Sequence, residues 1–443
     1  MDDGENIKFL RAVRIVILGL SIFYLLQLAS PLRLNTDAVV FLSLAESFIN
    51  GHGFLYKGMP SHFPPGYPAL LSLLDFVGLS YSWGFIAANI IFLAIGNIIL
   101  FYICRKKLRF NKTYSYIVII LSLLSWVMIK HITLPLSDIT FYGLSMGAIG
   151  ALSYAETAEN KYRKFFFVIG IFLACLAVTV RTIGIAIFVA IVFKTLYKKM
   201  QENKSSLFKL LRTHKVLLIV LSVAMISTII ALINTRYFEE GLKTYYDHGG
   251  FLRGILFIWV NRLLELGELS VNISIAKIPN IMIPIIMIIG LAFLGVIIYV
   301  FYYRQHNLII LDFYVIAYLL IIFFWPYNDS RFWLPIVPLV ISLVAIFMEK
   351  VSFSRLLTAG LCAYIMIFSL MGLAALGYST RISLADSRFP DLYTNHEELR
   401  NTYRIFLSNK DMAKELHGNE VLHLLRRFSK VRDEKKFGAA VIK

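Results

Sequence analysis

Long apolar runs alternate with short polar segments along the chain up to residue 378. A window of about 19 residues, the length of a bilayer-crossing helix, places eleven spans. They lie at roughly 12–30, 82–103, 114–129, 132–154, 165–180, 183–198, 216–234, 281–303, 308–326, 332–348 and 355–378. The pattern predicts an all-α polytopic membrane protein of about 11 transmembrane helices. The run 67–80, YPALLSLLDFVGLS, is too short to cross and contains Asp75, so it is expected as an interfacial helix in the first outer loop. A second interfacial helix is expected after Asp37, where Ala38, Phe41, Leu42, Ala45, Phe48 and Ile49 recur at the helical period.

The loops give the orientation. With the N-terminus inside and the first run read as a retained span, the six inner segments together, RKKLRFNK, ENKYRK and KTLYKKMQENKSSLFKLLRTHK among them, collect about twice the Lys and Arg of the outer loops, as the positive-inside rule requires. This arrangement makes residues 1–378 one transmembrane module with two large outer loops, 31–81 and 235–280. Residues 379–443 form an extramembrane tail whose apolar spacing and many charges suit short helices.

Composition agrees: 58% hydrophobic residues, 16% charged residues and a mean hydropathy of +0.72 exclude a soluble globule with an ordinary polar surface. The net charge of +17 is spread over many short loops rather than gathered on one aromatic-lined face, so it reads as membrane orientation and not as nucleic-acid binding. Cys104, Cys175 and Cys362 all fall in or beside apolar runs and form neither a disulfide framework nor a zinc pattern. The chain has no phosphate-cradling glycine loop, no H-E-x-x-H helix and no G-x-S-x-G elbow.

Four polar clusters fall on the outer side. Asp37 opens a mostly apolar helix, where Thr36 or Asp37 can serve as its N-cap. The segment GHGFLYKGMPSHFPPGYP holds Lys57, His62 and Tyr67 on a proline-stiffened loop. Asp138 follows LPLS at the start of a span, where it or Ser137 can also cap. Arg181 in VTVRTIG and Arg331 in NDSRFWLP complete the set; either can simply snorkel to the interface. Tyr245, Asp247 and His248, in the larger loop, are weaker candidates for sugar or acceptor contacts. Carboxylates and arginines on one side of the membrane suit chemistry on a lipid phosphate: one group takes a proton from a hydroxyl, the other steadies the phosphate through its fork of donors.

These motifs resemble the GT-C glycosyltransferases, nearest the branch of protein O-mannosyltransferases and lipid A aminoarabinose transferases. The likeness rests on NTDAVVFLSLAESFINGHGF, HFPPGYPALLSLL, LPLSDITF, LAVTVRTIGIAI and SRFWLPIVPLV, taken in order over most of residues 1–350. It implies a GT-C fold, Asp37 as catalytic base, Asp138 as a supporting or metal-associated carboxylate, and Arg331 at the donor phosphate. Two departures stand out: Ala38 follows Asp37 where many relatives carry a second acid, and Phe63, preceded by His62, replaces a lysine before the paired prolines. The first weakens the case for a tightly bound metal, leaving a divalent ion, Mg or Mn, an open question and no cofactor assigned. The second makes His62, Lys57 and Arg181 the alternative phosphate ligands.

The expectation is therefore a glycosyltransferase of the cell inner membrane, working on the periplasmic or extracellular face. Its partners are the bilayer, a polyprenyl-phosphate-sugar donor and a glycan, lipid or protein acceptor, with no nucleic acid. The rival readings are a transporter or flippase for a lipid-linked sugar and a noncatalytic subunit of envelope polysaccharide assembly. Charges gathered at helix ends rather than along a mid-membrane route favour the enzyme.

Overall fold

The structure, a computed structural model, describes residues 7–61, 63–157, 159–203, 243, 245–247, 250–350, 354–384, 394, 397–407 and 419–429. The expected span 216–234, His62 and His248 lie outside the described residues. The protein is an all-α polytopic membrane protein. Among the described residues its helices are α1 Ile7–Leu26, α2 Thr36–Ile49, α3 Gly66–Phe76, α4 Ser82–Lys106, α5 Lys112–Leu123, α6 Trp126–His131, α7 Ser137–Ala155, α8 Asn160–Val180 and α9 Ile185–Asn203. After the undescribed stretch come α10 Phe251–Val271, α11 Ile283–Arg304, α12 Ile310–Phe323, α13 Val337–Lys350, α14 Arg355–Leu384, α15 Glu397–Leu407 and α16 Glu420–Phe428. The β structure described is one hairpin, β1 Leu55–Tyr56 with β2 Met59–Pro60, turned by Lys57 and Gly58 at φ 51° and 77°.

Among the described residues, five segments are long and apolar enough to cross a membrane: Leu10–Ala29, Ser82–Lys106, Lys161–Val180, Asn280–Arg304 and Arg355–Leu384. Only 17% of the apolar window in each of the last two is buried, so side chains such as Leu291, Ile298, Met366 and Leu370 require lipid around them. The α3 helix has 11 residues, far short of a span, as expected for an interfacial helix.

Small residues set the tightest packing. In α7 the run GLSMG turns Gly143 toward α4, and a Cβ there would lie 2.7 Å from the Phe92 carbonyl oxygen. Polar side chains do the joining elsewhere. At the end of α1, Gln27 donates to Thr380 (2.7 Å) and accepts from Ser379 and Ser383 of α14, while Arg33 donates to the Ser383 hydroxyl at 2.8 Å.

The expected span 114–129 is broken in two, α5 and α6, at Leu124 and Ser125. A break inside a membrane leaves backbone groups without water, and these must find partners in the protein. Asn272 provides them: its amide donates to Leu124 O and Phe368 O (both 2.9 Å) and accepts from the Trp126 amide at 2.8 Å. Asn272 caps α10 in the left-handed region, φ 58°, which asparagine tolerates well.

Within the expected outer loop 235–280 the described residues are mostly the helix α10, packed along α11. Within the tail, α16 turns Leu422, Leu424, Leu425 and Phe428 inward and packs on α2 and α15. Tyr403 of α15 donates to Leu32 O (2.6 Å) and accepts from the Leu34 amide (3.0 Å), bracketing the segment that leads to Asp37.

Candidate active site

Capping is the first thing the geometry decides. Asn35, in extended backbone, is the N-cap of α2 and accepts from the Ala38 amide at 2.8 Å. The caps expected at Thr36 or Asp37 are therefore corrected: a side chain one position earlier does that work, and the Asp37 carboxylate is available for something else. It meets Arg331, whose Nη2 donates to Asp37 Oδ2. Arg331 sits in a 3-10 turn, Ser330–Trp333, started by Asp329, whose Oδ1 accepts from the Arg331 amide at 2.9 Å. Asp329 Oδ2 lies 3.0 Å from the Arg331 Nε, so one guanidinium is shared by two carboxylates.

A second pair stands beside the first. Asp138, in the first turn of α7, makes no cap; its carboxylate contacts Nη1 of Arg181, the residue that ends α8. Asp138 is almost wholly buried. The two arginines lie 5.3 and 5.2 Å from the centroid of the Phe332 ring, so a single aromatic side chain is in contact with both ion pairs. Gly66 allows part of this assembly. A Cβ there would fall 2.6 Å from the Thr179 backbone, so the absence of a side chain lets α3 reach the end of α8 next to Arg181.

The remaining candidates are placed as follows. Lys57 lies at the hairpin tip, over the Tyr56 ring at 5.2 Å and 3.9 Å from Glu420 of α16; the contacts described for it lead to the tail. Tyr67 is buried edge-on against Phe41, with ring centroids 5.1 Å apart. Tyr245 donates its hydroxyl to Phe324 O, and Asp247 is exposed.

Several residues at this end were not singled out from sequence. His131 ends α6, which packs on the 3-10 turn of Arg331. Its Nδ1 donates to Val127 O at 2.7 Å. Arg262 and Glu265 of α10 form a buried pair. Arg262 Nη2 donates to Trp325 O (2.9 Å) and Tyr327 O, and Glu265 Oε2 accepts from the Trp333 indole at 2.6 Å. The signal was present in NRLLELGELS, an i,i+3 charge pair among apolar residues at helical spacing.

Among the described residues no group of three or more His, Cys, Asp or Glu side chains gathers as metal ligands. Asp37, Asp329 and Asp138 each face a guanidinium rather than one another. The described side chains as arranged do not fit a divalent ion.

An apolar groove runs beside this site, walled by residues that include Leu121, Leu266, Trp333, Val340, Tyr364 and Phe368. It follows α13 from Val337 to Met348, about 16 Å along the helix axis. Trp333 belongs both to the groove wall and to the turn that presents Arg331.

Fold and site together define a polytopic membrane protein with paired charges at one end of its helices. No sequence-family model matches the chain, and no curated protein matches it in sequence. Its fold is similar to that of ArnT from Cupriavidus metallidurans in the apo state, with a TM-score of 0.50 and 13% identity over 95% of this chain and 73% of that one. The crystal structure of that ArnT bound to undecaprenyl phosphate gives a TM-score of 0.49 and 11% identity over 94% of this chain and 74% of the other. The likeness is one of fold alone, and it lies in the direction of the resemblance read from the sequence motifs.

Proposed function

We propose that this protein is a membrane glycosyltransferase that moves a sugar from a polyprenyl-phosphate-linked donor to an acceptor hydroxyl. The observation that carries the reading is the Asp37 and Arg331 pair, brought together from positions 294 residues apart, beside an apolar groove whose wall includes Trp333. A base, a phosphate ligand and a berth for a lipid chain are the three parts such a reaction needs. The fold likeness to ArnT, a protein solved with undecaprenyl phosphate, supports a donor of this kind.

In this reading the polyprenyl chain lies in the groove and its phosphate takes Arg331, with Arg181, in contact with the same Phe332 ring, as the second cation. The phosphate competes with Asp37 for the guanidinium, and its oxygens match the fork of donors. Donor binding thus releases Asp37, which accepts the proton of the acceptor hydroxyl. The hydroxyl oxygen attacks the anomeric carbon, the bond from that carbon to the phosphate oxygen breaks, and polyprenyl phosphate leaves with the bonding pair. A single displacement inverts the anomeric configuration. The site faces the periplasm or cell exterior of an inner-membrane protein, as the distribution of basic loops indicates.

The test is turnover of a panel of polyprenyl-phosphate sugars by the purified protein in detergent. Release of polyprenyl phosphate by the wild type and not by Asp37→Asn supports the reading. Failure of every donor to bind the wild type discards it in favour of a transporter or a noncatalytic subunit.

A further inference from the structure

We infer that Arg262 and Glu265 are positioning residues for Arg331, an inference that rests on the phosphate-binding reading of Arg331 above. The segment from Trp325 to Trp333 carries Asp329 and Arg331 at its turn, and α10 grips it on both flanks. Before the turn, Arg262 donates to the carbonyls of Trp325 and Tyr327; after it, Glu265 accepts from the Trp333 indole. Arg262 and Glu265 are bonded to each other, so the two grips form one strut.

As a stabilising device the strut is poor. Arg262 is fully buried, and burial of an ion pair carries a desolvation penalty that is repaid only when every donor and acceptor is used. Among the described residues Arg262 Nε and Glu265 Oε1 have no hydrogen-bond partner. What the strut does supply is geometry. Three bonds fix the flanks of the turn, leaving Asp329, Ser330 and Arg331 as its tip, with the guanidinium delivered to Asp37. Neither Arg262 nor Glu265 is assigned any contact with the reacting atoms. Their effect is on the entropy of the loop: a ligand group held in place before the phosphate arrives need not be ordered on binding.

The experiment pairs a readout that needs no ligand with one that does. Hydrogen exchange is followed on the full-length wild type and on Arg262→Met, Glu265→Gln and Trp333→Phe, and each is titrated with a polyprenyl monophosphate. Arg262→Met is expected to speed exchange at least tenfold across 325–333 while leaving the α2 amides unchanged, and to weaken polyprenyl monophosphate at least tenfold. In an Arg331→Ala background the same change is expected to cost no further affinity. Glu265→Gln leaves the buried Arg262 charge uncompensated and so lowers global stability, but it keeps an acceptor for both partners, and affinity for polyprenyl monophosphate should stay within about threefold of the wild type.

Unchanged exchange across 325–333, or additive affinity losses in the double variant, overturns the inference. If Arg262→Met does not fold, Trp333→Phe removes one bond of the strut and must raise exchange in the same segment; if it does not, the inference falls. A wild type that binds no polyprenyl monophosphate removes the phosphate reading, while exchange still decides whether the strut orders the turn.

Discussion

Arg331 reaches across the fold to Asp37, and the two side chains neutralise each other before any substrate is present. This sets a specific expectation for Asp37→Asn. A general base contributes roughly 10²- to 10⁴-fold in rate, so turnover should fall by that range. Removing the carboxylate also removes the competitor for the guanidinium, so donor affinity should hold or tighten. Parallel titration and single-turnover measurements check both. More than a tenth of wild-type turnover in Asp37→Asn would remove Asp37 from the base role.

Arg331→Lys separates charge from shape. Lysine keeps the positive charge but presents a point donor in place of a planar fork, and so cannot hold Asp329 and a phosphate together once Asp37 is released. A lost charge-assisted hydrogen bond is worth about 1.5–3 kcal/mol. Donor affinity in Arg331→Lys should therefore drop about 10- to 100-fold, read by equilibrium binding. Wild-type affinity in the lysine variant would show that charge alone suffices there.

Asp138 and Arg181 make a different case, because their pair is more deeply buried. Removing one member of such a pair leaves an uncompensated charge and costs about 3–5 kcal/mol, whereas replacing both is often nearly neutral. Asp138→Asn should thus lower the melting temperature sharply in detergent, and Asp138→Asn with Arg181→Gln should recover much of it. Equal, additive losses from the two single changes would mean that the residues do not act as a pair.

The polar positions of this site were legible in the sequence, and their pairing was not. Asp37, Asp138, Arg181 and Arg331 stand out because each interrupts an apolar run near its end. That Asp37 meets Arg331 and Asp138 meets Arg181 depends on how the helices are ordered around one another, which hydrophobic periodicity does not encode. The break in the expected span 114–129 shows the same limit: SLLSWV contains no glycine or proline, and the interruption is sustained by Asn272, 148 residues away from Leu124. The amphipathic spacing of α16 was visible, but its docking on α2 was not, because a helix face does not name its partner.

That docking gives the tail a measurable part in the site. Tyr403 holds Leu32 and Leu34 through one hydroxyl, just before Asn35 and Asp37. Tyr403→Phe leaves the ring in place and strands a carbonyl and an amide, at a cost of about 1–3 kcal/mol for a buried unsatisfied group. Faster hydrogen exchange at 32–38 and reduced turnover are expected, with binding of polyprenyl monophosphate largely kept. Unchanged exchange in that segment would show that α15 does not order the approach to Asp37.

The last expectation concerns pH. Glu268 of α10 is buried, and burial raises its pKa to about 7, opposed by the hydrogen bond it accepts from the Ile275 amide. A carboxyl with a raised folded-state pKa binds more protons folded than unfolded between its ordinary value of 4.5 and about 7. Stability therefore falls as pH rises through that window, by up to about 3 kcal/mol from this group. Glu268→Gln keeps the acceptor for Ile275 and stays neutral at every pH, so it should match the wild type near pH 4.5 and exceed it above pH 7. Melting curves from pH 4.5 to 8 test this through the difference between the two proteins, which cancels groups common to both. Parallel curves would place the Glu268 carboxylate in contact with water, and the α10 surface around it would then be solvated rather than packed.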